Sequence, residues 1–328
     1  QVRMSGGEPL AEPVHPETQM QTTTLGRTNL QVSRMGAGAG GPSRIGQKNG
    51  LSEEQSADLL RRAFDCGVNF VDTAEGYGTE PVVGRALKGR DRSSIVISTK
   101  KSTRNIDVTP RVLRASLDQS LHKLGTDYID LYNLHGVVPQ DYTYLVRDIY
   151  PELQKAQEQG KIRFVGLSEM FGEDMGHTML QQALADDLWD VLMVGFNLLN
   201  QTARARVLAK ANAQNVGIQI MFAVRKALAH PDHLRPFIED LVQKGQLDPA
   251  ELEGFPDFLL AETESLPDAA YRFCRDEPGV HIVLSGTGNA EHLEANLASF
   301  ARRPLGPATR ERLAHIFRNV DSTTGQSI

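Results

Sequence analysis

The stretch NFVDTAEGYG, residues 69–78, carries an acid out of an apolar run and sets a phenol among glycines just beyond it. Asn69-Phe70-Val71 reads as the body of a buried strand, so Asp72 stands at its C-terminal end, with Tyr77 in the turn that follows. A charged side chain at the end of a covered strand has a purpose only if that end opens on a site.

Working outward, apolar runs of the same kind recur. Strands are expected at 32–38 (VSRMGAG), 69–74, 94–100 (SIVISTK), 128–135 (YIDLYNLH), 163–168 (RFVGLS), 191–197 (VLMVGFN), 217–223 (GIQIMFA) and 280–286 (VHIVLSG). Most are near-continuous apolar runs, as parallel strands covered on both faces require. Helical patterns fill the gaps. Ser52 and Gln55 form a capping box ahead of Leu60, Ala63 and Phe64; Thr109 and Pro110 open a second helix that Gly125 ends. QTTTLGRTNLQVSRM, residues 21–35, predicts a hairpin turning at 26–29. Alternating strand–helix units predict the α/β class and a (β/α)8 TIM barrel with an N-terminal β-hairpin; a doubly wound sheet is the competing fold. The connection 224–264, with a helical piece near 232–244, is long enough to serve as a lid or binding loop. A last helix is expected over 309–318.

The 328 residues are 40% hydrophobic and 23% charged with a formal net charge of −6, which argues against a broad nucleic-acid surface. No apolar run is long enough to span a bilayer. Cys66 and Cys274 stand in neither a CxxC nor a metal-ligand spacing, so no metal site is expected and a reducing, cytoplasmic setting is. Residues 1–20, rich in Pro, Gly and Glu, read as a disordered leader or an appended remnant, and 21–328 as a single domain. GAGAGG at 36–41 matches G-x-G-x-x-G formally, but PSRIGQKNG follows where a Rossmann helix must begin. The glycines read instead as close backbone packing, with Gly38 on a lip that a flat ligand can approach.

In a barrel of this kind the C-terminal face carries the chemistry, each strand end contributing a residue. Asp72, Lys100, His135 and Ser168 end four successive expected strands. Singly, each has a plainer reading: a turn former, a solvated lysine, a structural histidine. Jointly they suit one reaction. A phenol titrates near a pKa of about 10, and a neighbouring ammonium favours its ionised form. Lys100 can be that ammonium, Asp72 can hold Lys100, and His135 can donate to a substrate oxygen, which makes Tyr77 a general acid–base facing a carbonyl or alcohol. No side chain donates hydride, so a redox cofactor must. A metal hydrolase would need more ligands than His135, and a Schiff-base aldolase on Lys100 would leave Asp72 and Tyr77 without specific roles.

Five segments, GVNFVDTAEGYGTE (67–80), VISTK (96–100), DYIDLYNLH (127–135), IRFVGLS (162–168) and SGTGNAEHLEANL (285–297), make the chain resemble the aldo-keto reductase superfamily. The resemblance implies a (β/α)8 barrel and an NAD(P)H-dependent oxidoreductase acting on a small-molecule carbonyl or alcohol. It implies Tyr77 as general acid, tuned by Lys100 with Asp72 behind it, and His135 orienting the substrate oxygen. It places Ser168, Glu169 and Met193 around the nicotinamide carboxamide, where Ser-Asn and Gln are usual, and Phe222 as the stacking ring. It places Gly286 and His292 where Lys and Arg often clamp a 2′-phosphate, with Thr287, Asn289 and Asn296 nearby. Arg225 and Lys226 can supply phosphate-binding charge instead. NADP(H) is the expected cofactor, NAD(H) the alternative. The rival from another class is a cofactor-binding regulatory subunit on the same barrel, without turnover.

Overall fold

The computed structural model of the protein describes residues 20–104 and 108–328. Two antiparallel strands, β1 (Thr22–Thr24) and β2 (Gln31–Ser33), form the expected hairpin. Eight parallel strands then close into a barrel: β3 (Met35–Gly38), β4 (Phe70–Asp72), β5 (Val96–Ser102), β6 (Ile129–Val137), β7 (Ile162–Glu169), β8 (Val191–Gly195), β9 (Gly217–Met221) and β10 (Ile282–Ser285). Each pairs with its neighbours in sequence, and β10 returns to pair with both β3 and β9. The closed parallel order excludes the doubly wound sheet.

The expected strand 32–38 is in fact two. Val32 and Ser33 belong to β2, and Met35 opens β3. The chain turns a corner at Arg34, where Ser33 Oγ donates to the Met35 carbonyl at 2.6 Å and Ser33 N–H donates to Asn69 Oδ1 at 2.6 Å. The hairpin floors the barrel. Leu25, Leu30 and Val32 are buried against Phe70, Val96, Leu131, Val191 and Ile282 at the strands' N-terminal ends. The opposite, C-terminal end is left for a site.

Helices cover the barrel where their caps predict. Helix Glu53–Asp65 starts on the Ser52–Gln55 capping box, with Gln55 N–H donating to Ser52 Oγ and Ser52 N–H to Gln55 Oε1. Thr109 caps helix Pro110–Leu124, and Gly125 ends it in the left-handed region. No helix begins at the glycine run; a short 3-10 helix, Gln47–Asn49, comes first, and the next α-helix is the one at Glu53. The connection after β9 carries the expected helical piece, as Pro231–Gln243, but most of it is not the lid or binding loop expected there. It holds helices Lys226–Ala229, Pro231–Gln243 and Asp257–Leu260, and Leu234, Phe237, Leu241, Leu247 and Leu259 are buried in the core. Most of it is therefore an added packing layer rather than a lid.

The leader expected at 1–20 lies outside the described residues except for Met20, which is buried beside Gly67. Trp189 is a packing residue, buried with Nε1 donating to Tyr142 Oη at 3.1 Å. Among the described residues no helix is long and apolar enough to cross a membrane.

The floor rests on Gly26. Its φ is +47°, and a Cβ there would meet the Gly217 nitrogen at 2.3 Å and the Asn215 carbonyl oxygen at 2.7 Å, both backbone atoms that cannot yield. Gly26→Ala is expected to cost roughly 1–3 kcal/mol through overpacking, read as a lower urea midpoint with unchanged m-value. An unchanged midpoint would show that the hairpin does not brace the barrel.

Candidate active site

The sequence puts Asp72, Lys100 and His135 on adjacent strands with the parity that points all three into the barrel. Lys100 is fully buried, and its Nζ donates to Asp72 Oδ2 at 2.5 Å and to the Thr73 carbonyl at 2.7 Å. Ser98 Oγ donates to the other Asp72 oxygen at 2.8 Å, and Asn133 Nδ2 donates to Ser98 Oγ at 3.0 Å. Burial pushes the Asp72 carboxyl up, against the pull of the Lys100 ammonium and the Ser98 hydroxyl. Two charges taken out of water persist here because each has its partner and further hydrogen bonds.

Tyr77 ends a short turn, Glu75–Tyr77, that carries its ring back over this pair. Lys100 Nζ lies 5.2 Å from the ring centroid. Tyr77 Oη is 3.3 Å from His135 Nε2, and the two rings meet edge-on at 5.5 Å. His135 is held neutral: burial first, then the Lys100 and Arg104 cations, lower its pKa to about 3.

These groups open on a cleft of about 640 Å³ at the C-terminal end of the barrel. Of the residues expected there, Gly38, Asp72, Tyr77, His135, Met193, Phe222, Arg225 and Gly286 line it. Met221, Tyr271, Leu284 and Gln326 line it too, as do Gly40 to Ser43, and sequence reasoning did not single these out. Met221 could have been found from strand parity, since it follows Gln219 by two along β9. Tyr271 lies on a helix and Gln326 in the C-terminal tail, neither carrying a local signal.

Other expected residues lie elsewhere. Ser168 is buried at the end of β7 and is not on the cleft wall. Glu169 is turned into the protein: His177 Nδ1 meets its two oxygens at 3.0 and 2.9 Å, and the Gly195 N–H donates to Oε1 at 2.7 Å. Burial pushes its carboxyl up against those partners. Its oxygens are thus committed, which corrects the expectation that it accepts from a carboxamide. Thr287, His292 and Asn296 are also off the wall. Thr287 Oγ1 accepts from the Asn289 N–H, Asn289 Oδ1 accepts from the His292 N–H, and Asn296 Nδ2 donates to Ser285 Oγ.

Phe222 sits on the wall with φ +69°, a strained state for an aromatic residue of the kind that clusters at functional sites. Phe171 stacks behind it at 6.5 Å and in turn on His177 at 5.4 Å. The Arg225 guanidinium lies 3.4 Å from the Phe222 centroid, so part of the expected stacking surface is covered. Burial lowers the Arg225 pKa to about 10. Among the described residues its side-chain hydrogen bond goes to Thr324 Oγ1 at 3.2 Å and it forms no ion pair.

The Aldo/keto reductase family model matches residues 35–316. The chain belongs to that family. L-galactose dehydrogenase of Arabidopsis thaliana is 33% identical over 159 residues, 46% of this chain and 49% of that protein, so the chain spans about half the length of that curated relative. NADH-specific methylglyoxal reductase of Escherichia coli is 28% identical over 233 residues, 64% of this chain and 69% of that protein. The holo form of aldo-keto reductase AKR11C1 from Bacillus halodurans superposes with a TM-score of 0.69 at 22% identity, over 90% of this chain and 96% of that one, and shares the fold.

The depressed His135 pKa makes folding pH-dependent. The unfolded imidazole takes a proton near pH 6.5, whereas the folded one does so only near pH 3. Its contribution is therefore present in full above pH 6.5 and is lost as pH falls toward 3. His281, lowered to about 4 by burial, acts in the same window. His135→Asn is expected to flatten the slope of unfolding free energy against pH between 6.5 and 4 by up to about 1.4 kcal/mol per pH unit. Denaturant titrations at successive pH values check this, and an unaltered slope contradicts it.

Proposed function

We propose that the protein transfers hydride between a nicotinamide dinucleotide and a small carbonyl/alcohol pair, with Tyr77 as the general acid–base. The observation that carries this is the convergence at one cleft of Tyr77 Oη, His135 Nε2 at 3.3 Å and an ammonium 5.2 Å from the phenol ring. Family membership supports it.

In reduction, Tyr77 Oη gives its proton to the carbonyl oxygen as charge develops there. The Lys100 ammonium stabilises the negative charge left on the phenol oxygen, in a buried setting where such an interaction is strong. Asp72 and the Thr73 carbonyl hold Lys100 in place for this. Neutral His135 has one ring N–H to direct the substrate oxygen toward Tyr77. Oxidation of an alcohol reverses the proton's path.

The cleft suits the cofactor. Gly38 and Gly286 bring two backbones close, a Cβ at Gly286 falling 2.5 Å from the Gly38 oxygen, which leaves an open lip. Met193, Met221 and Phe222 form an apolar wall for a flat ring, with Ser168 the nearby hydroxyl. Arg225 and Lys226, neither ion-paired among the described residues, would meet the phosphates. When bound, the reduced nicotinamide supplies the hydride. The segment 286–296 contains Glu291 and Glu294 and no Lys or Arg. That composition supports NADH binding at least as tightly as NADPH, and the name of the Escherichia coli relative points the same way. Methylglyoxal and L-galactose, taken from the names of two relatives, head the substrate panel.

The test is a fluorescence titration with NADH and NADPH followed by turnover on that panel. Tyr77→Phe is expected to keep cofactor affinity and lose roughly 10²- to 10⁴-fold in kcat. Tight binding with no turnover by the wild type would favour the regulatory-subunit reading. Full turnover by Tyr77→Phe would remove Tyr77 from the chemistry.

A further inference from the structure

The turn that bears Tyr77 is gripped from two sides, and neither grip involves Asp72, Lys100 or His135. On one side Glu75, two residues before Tyr77, ties the turn to the end of β5. Lys101 Nζ donates to Glu75 Oε1 at 2.6 Å, Ser102 N–H donates to the same oxygen at 3.0 Å, and Ser116 Oγ donates to Oε2. These partners hold the Glu75 carboxyl below its usual range despite the upward push of burial. Lys100 and Lys101 thus divide the work by strand parity: one faces into the barrel to Asp72, the other faces out to Glu75.

On the other side stands Arg44, from the loop after β3. Its guanidinium donates to the carbonyls of Gly76, at 3.1 Å, and of Tyr77, and lies 5.2 Å from the Tyr77 ring centroid. Lys100 Nζ is at the same distance from that centroid, so two cations flank one phenol. The loop is built to hold this pose. Arg44 and Ile45 have φ of +49° and +53°, and Ile45, a β-branched residue in a region it rarely enters, is buried. Such strain persists only where the surroundings over-determine it. Gly40, on the same loop, takes the edge of the Tyr77 ring, and a Cβ there would come within 2.5 Å of it. Gly40 to Ser43 also line the cleft.

We propose that Arg44 is a positioning residue for Tyr77: by holding the Gly76 and Tyr77 carbonyls and standing beside the ring, it fixes the phenol over Lys100. The proposal rests on the reading of Tyr77 as the general acid. One guanidinium nitrogen, Nη1, donates to both carbonyls, so an ammonium with three N–H donors can reproduce part of the contact, whereas alanine removes it.

The experiment compares Arg44→Ala, Arg44→Lys and Tyr77→Phe with wild type by kcat, KM, cofactor titration and melting temperature, with a crystal structure of Arg44→Ala. Arg44→Ala is expected to lose roughly 10- to 100-fold in kcat, as displacement of a reacting group does, at unchanged cofactor Kd, and Arg44→Lys to regain part of it. The crystal structure is expected to show the Gly76–Tyr77 backbone displaced. Wild-type kcat in Arg44→Ala beside an inactive Tyr77→Phe overturns the clamp alone. Joint loss of kcat, cofactor affinity and thermal stability without rescue by lysine also overturns it, since the arginine then only folds the loop. If Tyr77→Phe turns over normally, the functional reading fails, and the clamp stands or falls on the crystal structure: a turn superimposable on wild type ends it.

Discussion

The active end of the barrel depends on one buried ion pair. Lys100 has no exposed surface, so its ammonium is tolerable only because Asp72 and the Thr73 carbonyl receive it. Removing either charge leaves the other stranded in the interior. The same pair fixes where a cation can act on Tyr77. Structure and the proposed chemistry therefore share a constraint: the bonds that let the strands carry a lysine and an aspartate inward also hold an ammonium 5.2 Å from the phenol ring. Ser98 and Asn133 extend the network toward the barrel's middle, away from the cleft, so Asp72 has few other geometries open to it.

A second network supports the opposite wall. Glu169 holds His177, His177 stacks on Phe171, Phe171 on Phe222, and Arg225 covers Phe222 in the cleft. The column links a buried carboxylate to a mouth residue through flat groups that pack by area rather than by hydrogen bonds. Its last member is a guanidinium on the cleft wall with no ion-pair partner among the described residues.

Much of this was legible because the barrel's strands are covered on both faces, so each appears as a short apolar run ending in a polar residue. Asp72, Lys100 and His135 could be read as one site because they stand at or within two residues of the C-terminal ends of adjacent strands. Glu169 was misplaced because the residue following Ser168 was assigned by resemblance, whereas strand parity sends the two to opposite faces. The split at Arg34 was hidden because no Gly, Pro, Asn or Asp marks a turn between Val32 and Met35. Beyond the helical piece near 232–244, the rest of the layer resembled a loop because its apolar residues are spaced among Pro, Gly and acids. Phe222 was placed on the wall by resemblance, but its left-handed backbone and that of Arg44 were not legible, since composition and periodicity do not encode positive φ at non-glycine residues. Thr287 and Asn296 are engaged in local hydrogen bonds, Thr287 Oγ1 with the Asn289 N–H and Asn296 with Ser285, whereas His292 gives only its backbone N–H to the Asn289 cap and its side chain is exposed.

The most direct test of the central claim is a double-mutant cycle in kcat on Asp72→Asn and Lys100→Met, with cofactor affinity measured alongside. If Asp72 acts through Lys100, each single variant loses most of the turnover and the double variant is scarcely worse, because the two charges work as a unit. Losses that multiply independently, or a Lys100→Met enzyme that turns over like wild type, would contradict the account.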